Sequence, residues 1–381
     1  MLKIGIIGYG VRMRTVVTEI VKTQKIQIVA VADPDIAAAK ESAAFNGVED
    51  CRFYNDAEEM LNKEALDGVC IGTRCSTHTK YALMAAERGL PMFLEKPVCT
   101  NYEDLARLKG ILHHNDKTVV SFPLRLTSVV SYVKDIIDSG RIGRVEHVQA
   151  YNNVPYGRGY YHKWYRDEEE TGGMFLQKAT HDFDYINYIL GDVYPETVCA
   201  MKSKQIFKGD KPAGLMCKDC PEAASCPESP ENVKKLGDGN VIGPYCCFAE
   251  DTGNEDSGSA IVRYDSGMHV VYSQNFVVRA SAGKRGARFI GYLGTLEFDF
   301  FTGVVTVFHH RSFTTETHTV STKGTTHFGG DTMLVENFIG IMEGREISHS
   351  NLREGILSAE MCLAAKASAE TDRFMPIEFR V

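Results

Sequence analysis

The first 33 residues constrain the fold more than any other stretch. Lys3-Ile4-Gly5-Ile6-Ile7-Gly8-Tyr9-Gly10-Val11-Arg12-Met13 sets a buried aliphatic strand against a Gly-x-Gly turn. The pattern predicts a helix over about 12–22 and a second strand over 26–32, ending at Asp33, 23 residues after Gly10. In such a unit the first glycine permits the tight turn and the second lets backbone approach a pyrophosphate. The helix N-terminus then presents amides and a positive dipole to it. Met13 fills the usual third glycine position, so helix and strand cannot pack as closely there. A carboxylate at the end of the second strand suits the adenosine ribose hydroxyls and repels a 2′-phosphate, which predicts NAD rather than NADP. Arg12 and Arg14 pull the other way, since either side chain could reach a phosphate.

Strand and helix patterns keep alternating after Asp33. Helix 35–45, strand 52–54, a short helix from 56, strand 68–71, helix 77–88 and strand 91–94 follow in turn. Thr100-Asn101-Tyr102-Glu103 reads as a capping box opening a helix whose Leu105, Leu108, Ile111 and Leu112 share a face. Strand 118–122 closes the series. This alternation predicts an α/β Rossmann domain with a doubly wound parallel sheet. From about residue 128 the pattern changes to a helix reaching 138, a long strand over 144–151, and strand-like segments over 259–264, 269–278, 287–292, 295–300 and 304–309. Asp265-Ser266-Gly267 and Gly294 read as hairpin connections. Two helices, 334–343 and 353–370, finish the chain. The second part is therefore expected to be α+β, with a large, mostly antiparallel open sheet. The expected division is an NAD-binding domain over 1–124 and a substrate-binding and oligomerisation domain over 125–381, whose C-terminal helix can pack back on the first domain.

With 381 residues, 44% hydrophobic and 24% charged, the chain can bury two full cores. A net charge of −8 offers no electrostatic reason to bind nucleic acid or an acidic membrane. The first strand begins at residue 2 or 3, and no apolar run approaches the roughly 18 residues of a membrane span. The expected compartment is the cytoplasm. Of 11 cysteines, five crowd into Cys217-x-x-Cys220-x5-Cys226 and the pair Cys246-Cys247. Such spacing predicts a tetrahedral thiolate site of Cys217, Cys220, Cys226 and Cys246, holding one structural zinc or, second, an iron–sulfur cluster. The alternative is a set of free thiols. The polar run 221–240 reads as a loop with little core of its own, which a metal would staple.

Two constellations carry chemistry. Glu95-Lys96-Pro97 follows strand 91–94, where doubly wound folds bind ligands. An ammonium there can hydrogen-bond a substrate hydroxyl, with Glu95 to orient it and Pro97 to fix the backbone. The second runs from Gly172-Gly173 through Gln177, Lys178, His181, Asp182 and Asp184 along a predicted helix to residue 190. Lys178, His181 and a nearby carboxylate lie three or four residues apart, so some share a face, and an imidazole there suits proton acceptance near neutral pH. Tyr160-Tyr161-His162-Lys163-Trp164-Tyr165-Arg166 holds the single tryptophan among hydrogen-bonding groups, a mixture suited to a sugar ring. His327-Phe328-Gly329-Gly330-Asp331 precedes a helix that Asp331 caps, with His327 able to face a cleft.

Gly8-x-Gly10, Thr73-Arg74-Cys75-Ser76-Thr77-His78, Glu95-Lys96-Pro97, Ser139-Gly140-Arg141-Ile142-Gly143, the 172–184 motif and Gly291-Tyr292-Leu293-Gly294-Thr295-Leu296-Glu297 together resemble the glucose–fructose oxidoreductase, inositol dehydrogenase and rhizopine-catabolism (Gfo/Idh/MocA) family over nearly the whole length. The resemblance implies that Gly8, Tyr9, Gly10, Val11 and Arg12 line the pyrophosphate and Asp33 the ribose. It places Thr73, Arg74 and His78 beside the nicotinamide half, Glu95 and Lys96 near the nicotinamide and the reacting carbon, and Arg125 beside the active site. His181 would accept the proton and Lys96 would polarise the hydroxyl. Arg74-Cys75 replaces the family's Pro-Asn. Gln177 stands where many members carry Asp, so the proton acceptor is His181 or Lys178. Lys96, Arg125, His162, Trp164, Arg166, Lys178, His181 and His327 are the candidate substrate contacts. The implied activity is NAD-dependent oxidation of a secondary alcohol of a sugar, cyclitol or sugar derivative, in a homodimer or homotetramer. Two alternatives are an NAD-dependent glycosidase working by transient oxidation and elimination, and a non-catalytic NAD-responsive binding protein.

Overall fold

The computed structural model describes residues 1–48, 50–236, 243–321 and 326–380. Residues 237–240 of the predicted polar run lie outside them. The chain forms two compact units. One comprises Met1–Ser131 with the described residues of Lys323–Glu360 and Phe379–Val381, the other Tyr132–Thr322 and Met361–Glu378.

The first unit holds a six-stranded sheet in the order β3-β2-β1-β4-β5-β6. Its strands are β1 (Leu2–Ile7), β2 (Ile26–Ala32), β3 (Arg52–Tyr54), β4 (Gly68–Ile71), β5 (Met92–Leu94) and β6 (Thr118–Val120), all paired in parallel. Ile4, Ile6 and Ile7 are buried, as a strand covered on both faces requires. Register aligns the carboxyl ends: Ile7 pairs with Ala32 and Ile71, and Leu94 with Ile71 and Val120. Gly8, Asp33, Gly72, Glu95 and Ser121 therefore leave the sheet along one edge. Strand order reverses between β1 and β4, which makes this edge a topological switch point. The helix Gly330–Met342 returns to this sheet, where Leu334, Val335 and Phe338 join Val16, Val17, Ile20 and Phe93 in one core.

One predicted cap is displaced. Asn101, not Thr100, caps the helix Tyr102–Lys109, its side chain accepting from the Asp104 amide at 2.8 Å. Both offsets fit a cap followed by an acid, and asparagine is the stronger cap. The helix stops at Lys109 with Gly110 as its C-cap, so Ile111 lies past it and Leu112 falls in the following 3₁₀ turn, Leu112–Lys117.

The second unit carries a nine-stranded sheet in the order β14-β13-β12-β11-β7-β10-β9-β8-β15. Its strands are β7 (Val145–Asn153), β8 (Pro195–Ser203), β9 (Ser257–Tyr264), β10 (His269–Asn275), β11 (Lys284–Gly291), β12 (Gly294–Asp299), β13 (Val304–His309), β14 (Thr315–Thr319) and β15 (Met375–Pro376). Only β7 and β10 pair in parallel. The regular alternation of β9, buried at Gly258, Ala260, Val262 and Tyr264, is that of a sheet with one covered face. Strands β8, β14 and β15 escape prediction for local reasons. β14 is Thr-Glu-Thr-His-Thr with no hydrophobic alternation, β15 has two residues, and β8 opens on a proline.

The helix predicted to run on to residue 190 is not uniform. Residues Phe175–Ala179 form a π-helical turn, and the α-helix proper is Thr180–Leu190. Glu255, buried, receives the Met174 and Phe175 amides at 3.0 and 3.2 Å and so caps the start. Such π turns gather at functional sites because one extra residue re-aims the side chains around it. Here the residue range contains Gln177 and Lys178.

Candidate active site

On the nucleotide unit, the Gly-x-Gly turn is built for close approach. Gly8 has φ +80°, and a Cβ there would lie 2.7 Å from the Thr73 backbone nitrogen. No neighbour lies within 4 Å of a Cβ at Gly10, so the second glycine faces open space. Asp33 closes the ring: its Oδ2 accepts the Tyr9 amide at 2.9 Å and its Oδ1 the Asp35 amide at 2.9 Å. The carboxylate thus sits at the tip of β2 against the turn. The helix Val11–Thr23 points its free N-terminal amides out of the same turn, and Val11 is exposed. These residues fit a dinucleotide: backbone donors for a pyrophosphate and a carboxylate for ribose hydroxyls.

Arg12 departs from its expected role. Its Nε donates to Glu95 at 2.9 Å, its Nη2 to Ser121 Oγ at 2.9 Å, and both Nη atoms to Asp331. Two carboxylates thus engage the guanidinium, which makes it a brace for the sheet edge rather than a free phosphate reader. Asp331 also receives His327 Nδ1 at 2.9 Å. Burial alone would raise the Asp331 carboxyl, but His327 and Arg12 hold it well below the usual carboxylate range. Glu95 therefore serves Arg12, and the chain His327–Asp331–Arg12–Glu95 ends one residue from Lys96.

His78 is also a brace. It is buried, its Nδ1 donates to the Pro97 carbonyl at 2.7 Å, and its Nε2 lies 3.3 Å from the Thr73 carbonyl. Burial, outweighing these carbonyls, keeps the imidazole below its ordinary pKa, so a neutral ring ties Thr73 to the Lys96-Pro97 turn. Arg74 is exposed and Lys96 half-buried. Arg125 is buried, paired with Glu354 and donating to the His349 carbonyl at 3.3 Å.

On the second unit, Lys178 and His181 are both buried, at 7% and 5% exposure. Lys178 Nζ donates to the Tyr156 hydroxyl at 3.3 Å and lies 4.8 and 4.6 Å from the ring centres of Tyr156 and Tyr160. Its partners are thus aromatic rings and a phenol rather than a carboxylate. Burial, with Arg285 nearby and against the pull of Asp182, pushes the amine down to about 7. Asp182 is itself fully engaged: Oδ1 receives Arg285 Nε at 2.8 Å, and Oδ2 receives Asn152 and Tyr272, each at 2.9 Å. It holds Arg285 in place and does not pair with Lys178. Tyr156 and Arg285 stand beside Lys178 and carry no sequence motif.

The aromatic stretch divides. Trp164 is half-buried and stacks on Tyr165 with ring centres 3.8 Å apart. His162 is fully buried, donating Nδ1 to the Tyr245 carbonyl at 2.7 Å. Arg166, buried, binds Asp251 and the Thr252 hydroxyl. The last two therefore anchor the cysteine-bearing segment rather than present free groups.

The predicted metal site needs correction. Among the described residues, no group of three or more His, Cys, Asp and Glu is arranged to hold a metal ion, and Cys217, Cys220, Cys226 and Cys246 are free cysteines. An antiparallel bridge between Met216 and Tyr245 brings the two cysteine stretches alongside. Burial, then the neighbouring Cys246, Cys226 and Cys220, pushes the Cys217 thiol up to about 11. The segment also has other staples. Glu228 meets Arg279 at 3.2 Å and Arg158 at 3.6 Å, and Phe207 and Cys247 share a core with Tyr161, Met174 and Phe276. Purified protein is expected to lack stoichiometric zinc or iron. Glu228→Gln should speed proteolysis of the segment at least tenfold, because the buried Arg158 and the half-buried Arg279 lose their counter-ion, worth about 3 kcal/mol. Cys220→Ser should not. Elemental analysis and limited proteolysis check both halves.

Comparison with known proteins agrees with this geometry. Residues 2–122 match the GFO_IDH_MocA model described as an oxidoreductase family with an NAD-binding Rossmann fold, and residues 130–297 match the GFO/IDH/MocA C-terminal domain. Rhizopine catabolism protein MocA of Rhizobium meliloti is 26% identical over 58% of this chain and 69% of its own length. The scyllo-inositol 2-dehydrogenase (NAD(+)) of Bacillus subtilis is 29% identical over 43% of this chain and 46% of its own. Matches to these curated relatives thus span about half to seven-tenths of their lengths. Levoglucosan dehydrogenase in complex with NADH superposes with a TM-score of 0.79 at 17% identity, covering 100% of both chains. Myo-inositol 2-dehydrogenase from Lactobacillus plantarum superposes with a TM-score of 0.72 at 19% identity, covering 99% of both; at such identities the likeness is one of fold. Matched across both its parts, the chain belongs to the Gfo/Idh/MocA family of NAD-binding oxidoreductases.

Proposed function

We propose that the protein oxidises a secondary alcohol of a sugar, cyclitol or sugar derivative, with NAD as the oxidant. The observation that carries this reading is Lys178: a buried amine beside two tyrosines, paired with no carboxylate among the described residues, and pushed down by burial to about 7. An amine whose pKa lies near neutrality can accept a proton from a substrate hydroxyl. Inositol and levoglucosan dehydrogenases among the relatives support the substrate class.

The roles follow from the residues. Amides of the Gly8–Val11 turn hold the pyrophosphate and Asp33 the adenosine ribose, while Thr73, Arg74 and Lys96 take the nicotinamide half. Bound NAD supplies the hydride acceptor. On the nucleotide unit Lys96 is the donor for a substrate oxygen, and on the second unit Lys178, with His181 the alternative, takes the hydroxyl proton. Trp164 offers an aromatic face to the ring of the sugar. The reading includes a homodimer or homotetramer through the outer face of the nine-stranded sheet, where Ile261, Val271, Gln149, Arg288 and Glu297 form one cross-strand row. Light scattering of the eluting protein tests that assembly.

The activity test is a panel of inositols, aldoses, anhydrosugars, sugar acids and simple glycosides incubated with NAD, read as NADH absorbance and, for the glycosides, as aglycone release. At least one compound should give stoichiometric NADH. Release of an aglycone without net NADH would instead indicate the glycosidase, and no turnover at all a binding protein.

Cofactor choice is a separate expectation. Asp33 is held against the turn and Arg12 is taken up by carboxylates, so little remains to welcome a 2′-phosphate. NAD should bind at least about tenfold tighter than NADP, a difference of about 1.4 kcal/mol. Calorimetric titration checks this, and Asp33→Ala should narrow the gap. Equal binding of both by the wild type would mean that Arg14 governs the pocket.

A further inference from the structure

Lys178 faces a difficulty that its own burial creates. An amine that takes a proton in each cycle must also lose it to water, and at 7% exposure it has little water beside it. The groups around it differ sharply as outlets. Arg285 is bound to Asp182 and, as a guanidinium, has no lone pair to receive a proton. Asp182 is fully buried and already accepts from Arg285, Asn152 and Tyr272. Tyr160 offers Lys178 the face of its ring, 4.6 Å away. Tyr156 alone of these offers a hydroxyl to the amine, at 3.3 Å, and it is 39% exposed.

We propose that the Tyr156 hydroxyl is the path by which Lys178 exchanges its proton with solvent. The proposal rests on the reading of Lys178 as proton acceptor, and makes Tyr156 a relay that acts through it. In the forward step the substrate O–H bond breaks and a new N–H bond forms, turning the amine into an ammonium. In the return step one Nζ–H bond breaks as that proton joins the Tyr156 oxygen, while the phenol's own O–H proton passes to water. Lys178 ends as a neutral amine, Tyr156 as a phenol, and one proton has reached solvent.

The experiment uses full-length protein with ¹⁵N-labelled lysine side chains, without substrate, near pH 6 where Lys178 is charged. Proton exchange of the Lys178 ammonium with water is measured by NMR, its signal identified by its loss in Lys178→Met. Tyr156→Phe removes the hydroxyl and keeps the ring. Exchange should slow at least about tenfold in that variant, a smaller factor than the roughly 10²–10⁴ a positioned acid–base group contributes to a reaction. Tyr156→His, which restores a group able to relay, should return exchange to within a few-fold of wild type. Exchange in Tyr156→Phe as fast as wild type, or faster, overturns the proposal, as does a failure of Tyr156→His to restore it. Among panel compounds that are oxidised, Tyr156→Phe should lower kcat, and free imidazole in the buffer should recover it. Failure of every panel compound to yield NADH would sink the oxidoreductase reading, while the exchange comparison would still decide the relay.

Discussion

Lys96→Met is expected to lower turnover by about a hundredfold or more, in the range lost when a preorganised donor to a developing charge is deleted. The size follows from how firmly the lysine's backbone is fixed. The Glu95 amide donates to the Ile71 carbonyl at 2.9 Å, the Glu95 carboxylate is held by Arg12, and the Pro97 carbonyl is held by His78 at 2.7 Å. The ammonium therefore projects from a point pinned on both sides, and its hydrogen bond needs little reorganisation. Methionine keeps much of the stem and removes the donor. NAD affinity should weaken by no more than about tenfold, since the pyrophosphate and ribose contacts lie elsewhere. Single-turnover kinetics with the best panel substrate separates the two effects. Turnover within a few-fold of wild type would remove Lys96 from the chemistry.

Lys178→Met should have opposite effects on activity and stability. Activity should fall about a hundredfold or more, because the proton acceptor is gone. Stability should rise, and the pH dependence identifies the cause. The amine's folded pKa is about 7 against an ordinary 10.5, so between those values the unfolded chain binds more protons than the folded one. Wild-type stability therefore climbs with pH across that window, and the whole penalty is present below about pH 7. At pH 6 the methionine variant should be more stable by about 1–3 kcal/mol, the interactions of the ammonium with two tyrosine rings offsetting part of the desolvation cost. The difference should shrink as pH approaches 10. Urea melts at pH 6 and 9 measure it, and a variant less stable than wild type at pH 6 would show the lysine to be a well-solvated cation. In the wild type, kcat/KM should fall as pH drops through about 7, where Lys178 acquires its proton.

Much of the architecture was legible because its causes are local. A Gly-x-Gly turn between an isoleucine strand and a helix is written within one short segment, and so is Asp33 at the tip of β2. Strand alternation in β9 to β13 and the hairpin glycines are likewise near-neighbour signals. The misses have a common physical origin in groups that meet only after folding. Arg12 and Asp331 are 319 residues apart, so no spacing rule pairs them. His162 and Arg166 look available until a segment more than 80 residues later covers them. The cysteine spacing matches that of metal sites, yet the segment is held by Glu228 with Arg158 and Arg279. The π turn at Phe175–Ala179 differs from an α-helix by a single residue per turn, too fine for periodicity to register. Tyr156 has no motif at all, and only its contact with Lys178 identifies it.

The central claim is that this chain moves a hydride from a carbon bearing a hydroxyl to NAD, in net oxidation. Its most direct test is a panel of cyclitols and sugars carrying deuterium on carbon, incubated with NAD in ordinary water. Mass spectrometry of the nicotinamide product should show one deuterium per NADH, with an equal amount of ketone formed. Its contradiction would be a deuterated glycoside that releases its aglycone and loses to water the deuterium beside the oxidised carbon, with no accumulation of labelled NADH or ketone, which is the outcome of transient oxidation and elimination.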